Sequence, residues 1–258
     1  MPHAPLEIVT VPCLQDNYAF LLHDPGSGET ALVDAPEAAP IAQVLKARGW
    51  GLDHIWLTHH HWDHVDGLEV LRGAFGAAVL GAAQDAARLP ALDHALKGGG
   101  QFVFAGQPVH VLDVPGHTIG HIAFHLPQSA AVFTADSLMA MGCGRLFEGS
   151  PEQMWESLQN LMALPPETMV YSGHEYTASN CKFALTIDPH NRDLISRVGQ
   201  VTENRRNGVP TVPSLLGQEL LTNPFLRPDA PQIKAALGME DATALEVFTQ
   251  IRARKDKF

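Results

Sequence analysis

The chain has 258 residues and a formal net charge of −11, and 45% of its residues are hydrophobic while 17% are charged. This composition is typical of a globular protein with a sizeable core, and no apolar run approaches the roughly 18 residues of a membrane span. The negative charge disfavours nucleic acid as a partner, because phosphate binding depends on basic patches.

The cysteines and the N-terminal residues indicate the compartment. Cys13, Cys143 and Cys181 are odd in number and far apart, which argues against a disulfide framework and against a zinc site built from CxxC pairs. The stretch MPHAPLEIVTVP lacks the basic region, apolar run and cleavage site of a secretory signal. We therefore expect a cytoplasmic protein without a membrane partner.

The first two thirds of the chain alternate strand patterns with helical patterns. Short β-branched runs predict strands, and a helical pattern ending at Gly49 follows them: EIVTVP, YAFLLHD and TALVDA, then PIAQVLKARG. Further strand patterns run directly into histidine or aspartate: LDHIWLT, VHVLDVP, AAVFTAD and TMVYSG. Ligands collect outside the strand ends of layered α/β folds, so these polar residues are predicted to share one site.

Helical patterns dominate the rest of the chain. Ser150 and Gln153 form a capping-box signature with Pro151 at the first helical position, which predicts a helix over residues 151–163. After about residue 176 the strand pattern stops and helical periodicity takes over. We therefore expect an α/β domain at 1–175 and a small helical domain at 176–258.

The stretch LTHHHWDHVDG, residues 57–67, predicts a metal site. His59 and His61 are two apart, so at an extended strand end they project to the same side while His60 points away. Asp63 and His64 follow in a turn that can aim them at a second point. Imidazole and carboxylate without thiolate suit zinc, manganese or iron and do not distinguish among them.

Other strand ends supply further donors of the same chemistry. His117 stands behind a glycine in GHTIGH, Asp136 follows an apolar strand in TAD, and His174 stands behind a glycine in SGHEY. A glycine before a ligand lets the backbone turn sharply and approach closely. His60, His121 and His125 lie near these motifs, where structural hydrogen bonding is the favoured role.

Together these motifs resemble the metallo-β-lactamase superfamily: HxHxDH, GHTxGH, an Asp after a strand and a late GH. The resemblance implies an αββα sandwich over residues 5–175 and two metal ions, zinc first, with iron or manganese as alternatives. It implies that the two ions share seven ligands: His59, His61 and His117 on one, Asp63, His64 and His174 on the other, and Asp136 on both. It also offers Asp34 as a residue that supports the site from behind the ligands, with a turn-forming aspartate as the alternative.

Two metal ions sharing a water would lower the pKa of that water from about 15.7 toward 7, and one ion would polarise the scissile carbonyl. This is hydrolysis chemistry with Asp63, Asp136 and a bridging hydroxide at its centre. A lactam, lactone, phosphodiester or thioester remains open as substrate. A thioester is attractive because a thiol with a pKa near 8.5 leaves without a dedicated general acid.

The rest of the chain resembles the hydroxyacylglutathione hydrolase (glyoxalase II) family. The motifs that carry this resemblance are CGRLFEG, SGHEYT, VPSLLGQELLTNPFLR and the terminal RARKDKF. It implies hydrolysis of S-D-lactoylglutathione and other S-2-hydroxyacylglutathiones to glutathione and a 2-hydroxy acid, the second step in methylglyoxal disposal. The expected partner is therefore this small-molecule substrate, bound by a monomer.

By position, the resemblance implies a glutathione-binding role for Arg145, a place beside the thioester for Tyr176, and a grip on the glycine carboxylate for Arg252 and Lys255. A solvated helix end is the alternative interpretation of RARKDKF, because basic residues favourably meet a helix C-terminus. Phe147 stands where some members carry a tyrosine that contacts glutathione. One hydroxyl contact is thus missing, which predicts weaker substrate binding with the chemistry intact.

Rival functions within the same superfamily are disfavoured. A mononuclear iron persulfide dioxygenase is the main alternative, and the helical C-terminal domain with its basic tail argues against it. A β-lactamase is disfavoured because no export signal is seen and the ligand pattern departs from those enzymes, and an RNA-processing nuclease by the acidic charge. A non-enzymatic metal protein predicts a closed coordination shell, whereas seven ligands around two ions leave room for water.

Overall fold

The computed structural model describes residues 6–258, so the first five residues of the predicted domain 1–175 lie outside the described part. The chain divides into two compact units. Unit 1 comprises the described residues up to Asp113 together with Gly120–Phe133, and unit 2 comprises Val114–Ile119 and Thr134–Phe258. The predicted domain boundary after residue 175 stays a prediction.

Unit 1 contains a six-stranded mixed sheet in the order β1-β2-β3-β4-β5-β6. The first three strands pair antiparallel, and β3 to β6 pair parallel. The strands are β1 Glu7–Cys13, β2 Asn17–His23, β3 Thr30–Val33, β4 His54–Trp56, β5 Ala78–Ala82 and β6 His94–Leu96. The parallel pairing places the ends of β3 and β4 at the same edge of the sheet, where ligands are expected to bind.

Unit 1 also contains an antiparallel group of strands in the order β10-β9-β8-β7. These are β7 Gln101–Phe104, β8 Gln107–Asp113, β9 Ile122–Leu126 and β10 Ala131–Ala135, and β10 passes into unit 2 at Thr134. The helices of unit 1 are α1 Ala38–Arg48, α2 Trp62–Val65 and α3 Leu68–Phe75, with a short 3₁₀ helix at Ala83–Asp85 and another at Pro127–Ser129.

Helix α1 ends where the sequence predicts. Gly49 takes a left-handed conformation with φ 67°, and its N–H caps the last turn by donating to Leu45 O and Lys46 O. Ile41 and Leu45, one turn apart, are fully buried among the core side chains of the first sheet. The buried stripe of α1 thus packs into the core beneath the first sheet.

Unit 2 is mainly helical. Its helices are α4 Pro151–Met162, α5 Thr177–Ile187, α6 Arg192–Arg206, α7 Leu216–Thr222, α8 Pro231–Leu237 and α9 Ala244–Lys255, with a 3₁₀ helix at Pro224–Leu226. Its strands are β11 Leu138–Met139, β12 Gly142–Cys143, β13 Met169–Ser172 and β14 Ser214–Leu215. β11 and β12 form a small antiparallel hairpin, and β13 pairs with β14.

Helix α4 confirms the capping-box prediction. The Ser150 side chain accepts from Gln153 N, and the Gln153 side chain accepts from Ser150 N. The prediction that strands stop after residue 176 is wrong at β14, because a strand of two residues is too short to show a period. Within residues 6–258, none of the helices combines the length and the apolar character that crossing a bilayer requires.

Candidate metal centre

Asp34 and Thr58 lie just beyond the parallel strands β3 and β4 in unit 1. Thr58 donates its N–H to Asp34 Oδ1 at 2.9 Å and its hydroxyl to Asp34 Oδ2 at 2.8 Å. Asp34 is buried and has φ 57°, a left-handed conformation that aspartate tolerates better than most residues. This carboxylate therefore fixes the start of the histidine-rich stretch to the end of β3.

The same carboxylate orients His64. His64 Nδ1 donates to Asp34 Oδ2 at 2.8 Å, and both side chains are buried. In the neutral ring a protonated Nδ1 leaves the lone pair on Nε2, which is the atom that a metal would take. The position of Asp34 behind His64 agrees with the supporting role that the sequence suggested.

The other donors of this stretch lie around His64. Ligand atoms of Asp34, His59 and His64 all lie within 4.8 Å of one another. His59 Nε2 lies 3.1 Å from His61 Nδ1, and His64 Nε2 lies 3.8 Å from Asp63 Oδ2. Four predicted ligands thus come together within unit 1.

Asp63 is held by a residue that the sequence did not point to. Asn17, at the start of β2, donates from Nδ2 to Asp63 Oδ2 at 3.1 Å and to Asp63 O at 2.9 Å. The two residues are 46 positions apart, and no local pattern links them. Trp62, between the ligands, is 66% exposed and leaves its indole in solvent.

The neighbouring histidines make structural contacts. His60 Nδ1 donates to the buried Asp85 at 3.0 Å, in agreement with the structural hydrogen bonding favoured for it, while its ring also contacts His61 with centroids 5.0 Å apart. His121 stacks on His59 with ring centroids 4.6 Å apart, and His121 Nδ1 lies 3.1 Å from Ile122 O.

His125 lies on β9 opposite His110 of β8. Burial, and after it the proximity of His110, lower the pKa of His125 from its ordinary value. A neutral ring suits its buried position in the sheet, in agreement with the structural role favoured for it.

Unit 2 brings three predicted ligands together. Asp136 follows β10, and its Oδ2 lies 3.4 Å from His117 Nε2 and 3.3 Å from His174 Nε2. His117 Nδ1 donates to Arg145 O at 2.8 Å, which places the lone pair of this ring on Nε2 as well. All three residues are buried.

The donors in unit 2 fit a divalent metal. Tetrahedral zinc with bonds of about 2.0–2.1 Å holds its donor atoms roughly 3.3–3.4 Å apart. The two Nε2–Oδ2 distances, 3.4 Å and 3.3 Å, have this value and exceed the usual hydrogen-bond length. Imidazole and carboxylate are also ligands that zinc, manganese and iron accept.

Close backbone packing surrounds these ligands. Gly116, before His117, has φ 147°, and a Cβ there would lie 2.7 Å from Met154 Cβ, as the sequence argument for a glycine required. A Cβ on Gly144 would lie 1.9 Å from Asp136 O. The chain can make this approach only with glycine at both positions.

Three of the predicted substrate-binding side chains are exposed near these ligands. Phe147 is 60% exposed and packs edge-on against His117 with centroids 5.2 Å apart, and Arg145 lies over the Phe147 ring. Tyr176 is 39% exposed and stacks on His174, with centroids 4.7 Å apart and an interplanar angle of 6°.

Arg252 and Lys255 on α9 have different surroundings. Arg252 is buried and donates to Cys143 O at 2.9 Å and to Asp256 Oδ1 from both Nε and Nη2. Lys255 Nζ lies 5.2 Å from the ring centroids of both Phe183 and Phe258. Burial, and after it the positive charge of Arg252, lower the pKa of Lys255.

Asp256 is a polar residue of this region that the sequence argument missed. Its Oδ1 also lies 3.8 Å from Arg145 Nε, so one carboxylate is shared by two of the predicted glutathione-binding cations. The spacing of Arg252 and Asp256 in RARKDKF could have predicted this contact, since an aspartate four residues after an arginine on a helix can pair with it.

Comparisons with known proteins cover both parts of the chain. A model of the metallo-beta-lactamase superfamily matches residues 15–174, and a model of the hydroxyacylglutathione hydrolase C-terminus matches residues 175–258. A relative from Ruegeria pomeroyi, a hydroxyacylglutathione hydrolase, is 63% identical over 254 residues, which cover 98% of this chain and 100% of the relative.

Solved structures share the fold. The BLEG-1 B3 metallo-beta-lactamase superimposes with a TM-score of 0.67 at 20% identity, covering 86% of this chain and 100% of its own. TTHA1623, solved in a di-iron-bound form, gives a TM-score of 0.61 at 27% identity, covering 85% of this chain and 100% of its own. These matches confirm the predicted α/β sandwich with a helical C-terminal part.

Proposed function

The chain belongs to the hydroxyacylglutathione hydrolases of the metallo-β-lactamase superfamily, and from this membership we propose that it hydrolyses S-D-lactoylglutathione to glutathione and D-lactate. Other S-2-hydroxyacylglutathiones are proposed substrates of the same site. The observation that carries the proposal is the 63% identity across 98% of this chain and the whole of a relative with this activity in its name. The reaction is the second step in the disposal of methylglyoxal.

The proposed cofactors are two divalent metal ions, zinc first, with iron or manganese as alternatives. The seven proposed ligands are His59, His61 and His117 for one ion, Asp63, His64 and His174 for the other, and Asp136 for both. The donor chemistry and the spacing of Asp136 from its two histidines support a metal role. The di-iron-bound form of TTHA1623 supports a two-metal site in this superfamily.

When bound, the metals would supply a nucleophilic water of lowered pKa and would polarise the thioester carbonyl. The chain prepares its ligands for that task. Asp34 holds a proton on His64 Nδ1, and the Arg145 carbonyl holds one on His117 Nδ1, so both rings offer Nε2. The glutathione thiol leaves as a thiolate, since its pKa is near 8.5, and needs no acidic side chain.

The proposed substrate-binding residues are Arg145, Phe147, Tyr176, Arg252 and Lys255. Guanidinium and ammonium groups suit an anionic tripeptide within a protein of net charge −11. Because Asp256 neutralises much of the charge of Arg252, we assign the larger share of carboxylate attraction to Lys255. Phe147 offers a ring without a hydroxyl, so substrate binding is weaker than in relatives with tyrosine there.

The test is turnover of S-D-lactoylglutathione by the purified protein, with metal content measured on the same sample and a chelated control. Chelator-sensitive turnover with close to two metals per chain supports the proposal. Bound metals without turnover refute the glutathione assignment, and oxygen consumption with glutathione persulfide would favour the dioxygenase alternative. A monomeric state and a cytoplasmic location stay predictions, for native mass spectrometry and cell fractionation to test.

A further inference from the structure

The hairpin of β11 and β12, residues 138–143, links a proposed metal ligand to a proposed substrate contact. It begins two residues after Asp136 and ends two residues before Arg145. Its turn is strained, because Met141 has φ 62°, a conformation that a bulky side chain disfavours. A strained turn persists only where its surroundings over-determine it.

The surroundings of the turn include a buried carboxylate from helix α7. Glu219 Oε2 accepts the N–H of Met141 at 2.9 Å and the side-chain amide of Asn223 at 3.1 Å. Glu219 Oε1 accepts from Arg197, and both members of this ion pair are almost fully buried. A buried ion pair often adds little net stability, because removing both charges from water costs about as much as their attraction returns. The contact between Glu219 and the hairpin is therefore the feature that indicates a further role for this pair.

Two asparagines complete the grip on the hairpin backbone. Asn223 Nδ2 also donates to Gly142 O at 3.0 Å, and Asn180 Nδ2 on α5 donates to Ala140 O at 3.1 Å. A Cβ on Gly142 would lie 2.6 Å from Asn180 Nδ2, so the two segments are in tight contact. We call Asn180, Glu219 and Asn223 the clamp.

The position of the hairpin is passed on to the ligands through short backbone contacts. Gly144 N donates to Ser137 O at 3.0 Å, on either side of the hairpin, and Gly144 packs against Asp136 O. The next carbonyl, Arg145 O, accepts from His117 Nδ1. A shift of the hairpin therefore moves Asp136 and releases the partner that orients His117.

We propose that Glu219, with Asn180 and Asn223, is a positioning residue that holds Asp136, His117 and Arg145 in place through the 138–143 hairpin. The inference rests on the proposed ligand roles of Asp136 and His117. Asn180, Glu219 and Asn223 are not among the proposed ligands or substrate contacts, and the clamp acts by fixing the backbone from which those side chains extend.

The test compares Glu219→Ala with a matched control, Asp188→Ala. Asp188 is equally buried in unit 2 and accepts from Arg227 and Asn191, and none of these residues belongs to the clamp. Both variants are expected to lower the urea midpoint of the metal-free protein. Only Glu219→Ala is expected to weaken Zn²⁺ binding, by about 10–100-fold in competition with a chelator, as for loss of a group that orients ligands.

Milder variants keep the test valid if Glu219→Ala does not fold. Asn180→Ala removes only the bond to Ala140 and leaves the ion pair intact, and it is expected to weaken Zn²⁺ binding by a smaller factor. Glu219→Gln keeps an oxygen for Met141 N and is expected to retain more affinity than Glu219→Ala. The proposal is overturned if the clamp variants bind Zn²⁺ as tightly as the wild type. It is also overturned if Asp188→Ala loses as much Zn²⁺ affinity as Glu219→Ala. The test measures metal affinity and does not depend on thioester turnover. Absence of turnover in the wild type would therefore refute the proposed substrate without affecting the test of the clamp.

Discussion

Replacing Asp34 with asparagine should lower both the stability of the metal-free protein and its affinity for Zn²⁺. Asparagine has the same shape and also tolerates the left-handed conformation found at φ 57°. Its amide oxygen can still accept from Thr58 N, while an NH₂ group replaces the oxygen that accepts from His64 and from the Thr58 hydroxyl. The variant therefore replaces one buried hydrogen-bond acceptor, Asp34 Oδ2, with a hydrogen-bond donor.

The magnitude follows from the bonds that change. Two hydrogen bonds to an ionised acceptor contribute about 1.5–3 kcal/mol each, and the Thr58 hydroxyl can rotate to accept from the new amide. We expect a net loss of about 2–3 kcal/mol in the free energy of unfolding of the metal-free protein. His64 can keep a bond only by shifting its proton to Nε2, the atom that a metal would take, so Zn²⁺ affinity should fall about 10–100-fold.

Urea unfolding in the presence of chelator measures the first effect, and competition for Zn²⁺ measures the second. Thr58→Ser is the companion variant, since it removes only a buried methyl group and keeps both the hydroxyl that contacts His59 and the bond between His64 and Asp34. It should destabilise the protein without a comparable loss of Zn²⁺ affinity. If Asp34→Asn binds Zn²⁺ as tightly as the wild type, the argument that Asp34 sets the tautomer of His64 is refuted.

Three further predictions concern the proposed ligands and substrate contacts. Asp136→Asn should lower metal content, whereas Lys255→Ala should raise KM about 10-fold or more with metal content intact; equal metal loss in both variants contradicts this division. Phe147→Tyr should lower KM about 2–10-fold by restoring one hydrogen bond, and an unchanged or higher KM contradicts that interpretation. Burial and Arg252 lower the pKa of Lys255 from 10.5, so its charge is present below the lowered pKa and is lost as the pH rises through it. KM should therefore rise with pH before pH 10.5 is reached, and Lys255→Arg should remove this rise.

Local patterns predicted those features of the fold that depend on local chemistry. The helix end at Gly49 and the Ser150–Gln153 capping box both follow from neighbours within a few residues. The position of the predicted metal ligands after strands could also be predicted, because an apolar run that stops at a polar residue can be read directly from the sequence. Strand β14 is too short to carry any such pattern.

Contacts between distant segments could not be predicted in this way. Asn17 reaches Asp63 across 46 positions, and Arg252 reaches Cys143 across 109. The family resemblance implies that Arg252 binds the glycine carboxylate of glutathione, whereas in the structure its donors bond to a backbone carbonyl and to Asp256. Only the packing of α9 decides which donors of an arginine are already used.

The clamp on the 138–143 hairpin has a consequence for synthesis on the ribosome. Glu219 lies 78 residues after Met141, whose N–H it accepts. At roughly 5–20 residues per second, this distance corresponds to about 4–16 s of translation. During that interval Asp136 and His117 have already been made, while the hairpin still lacks Glu219 and Asn223. We therefore expect metal loading to be a late event, completed only after the C-terminal helices have emerged and folded.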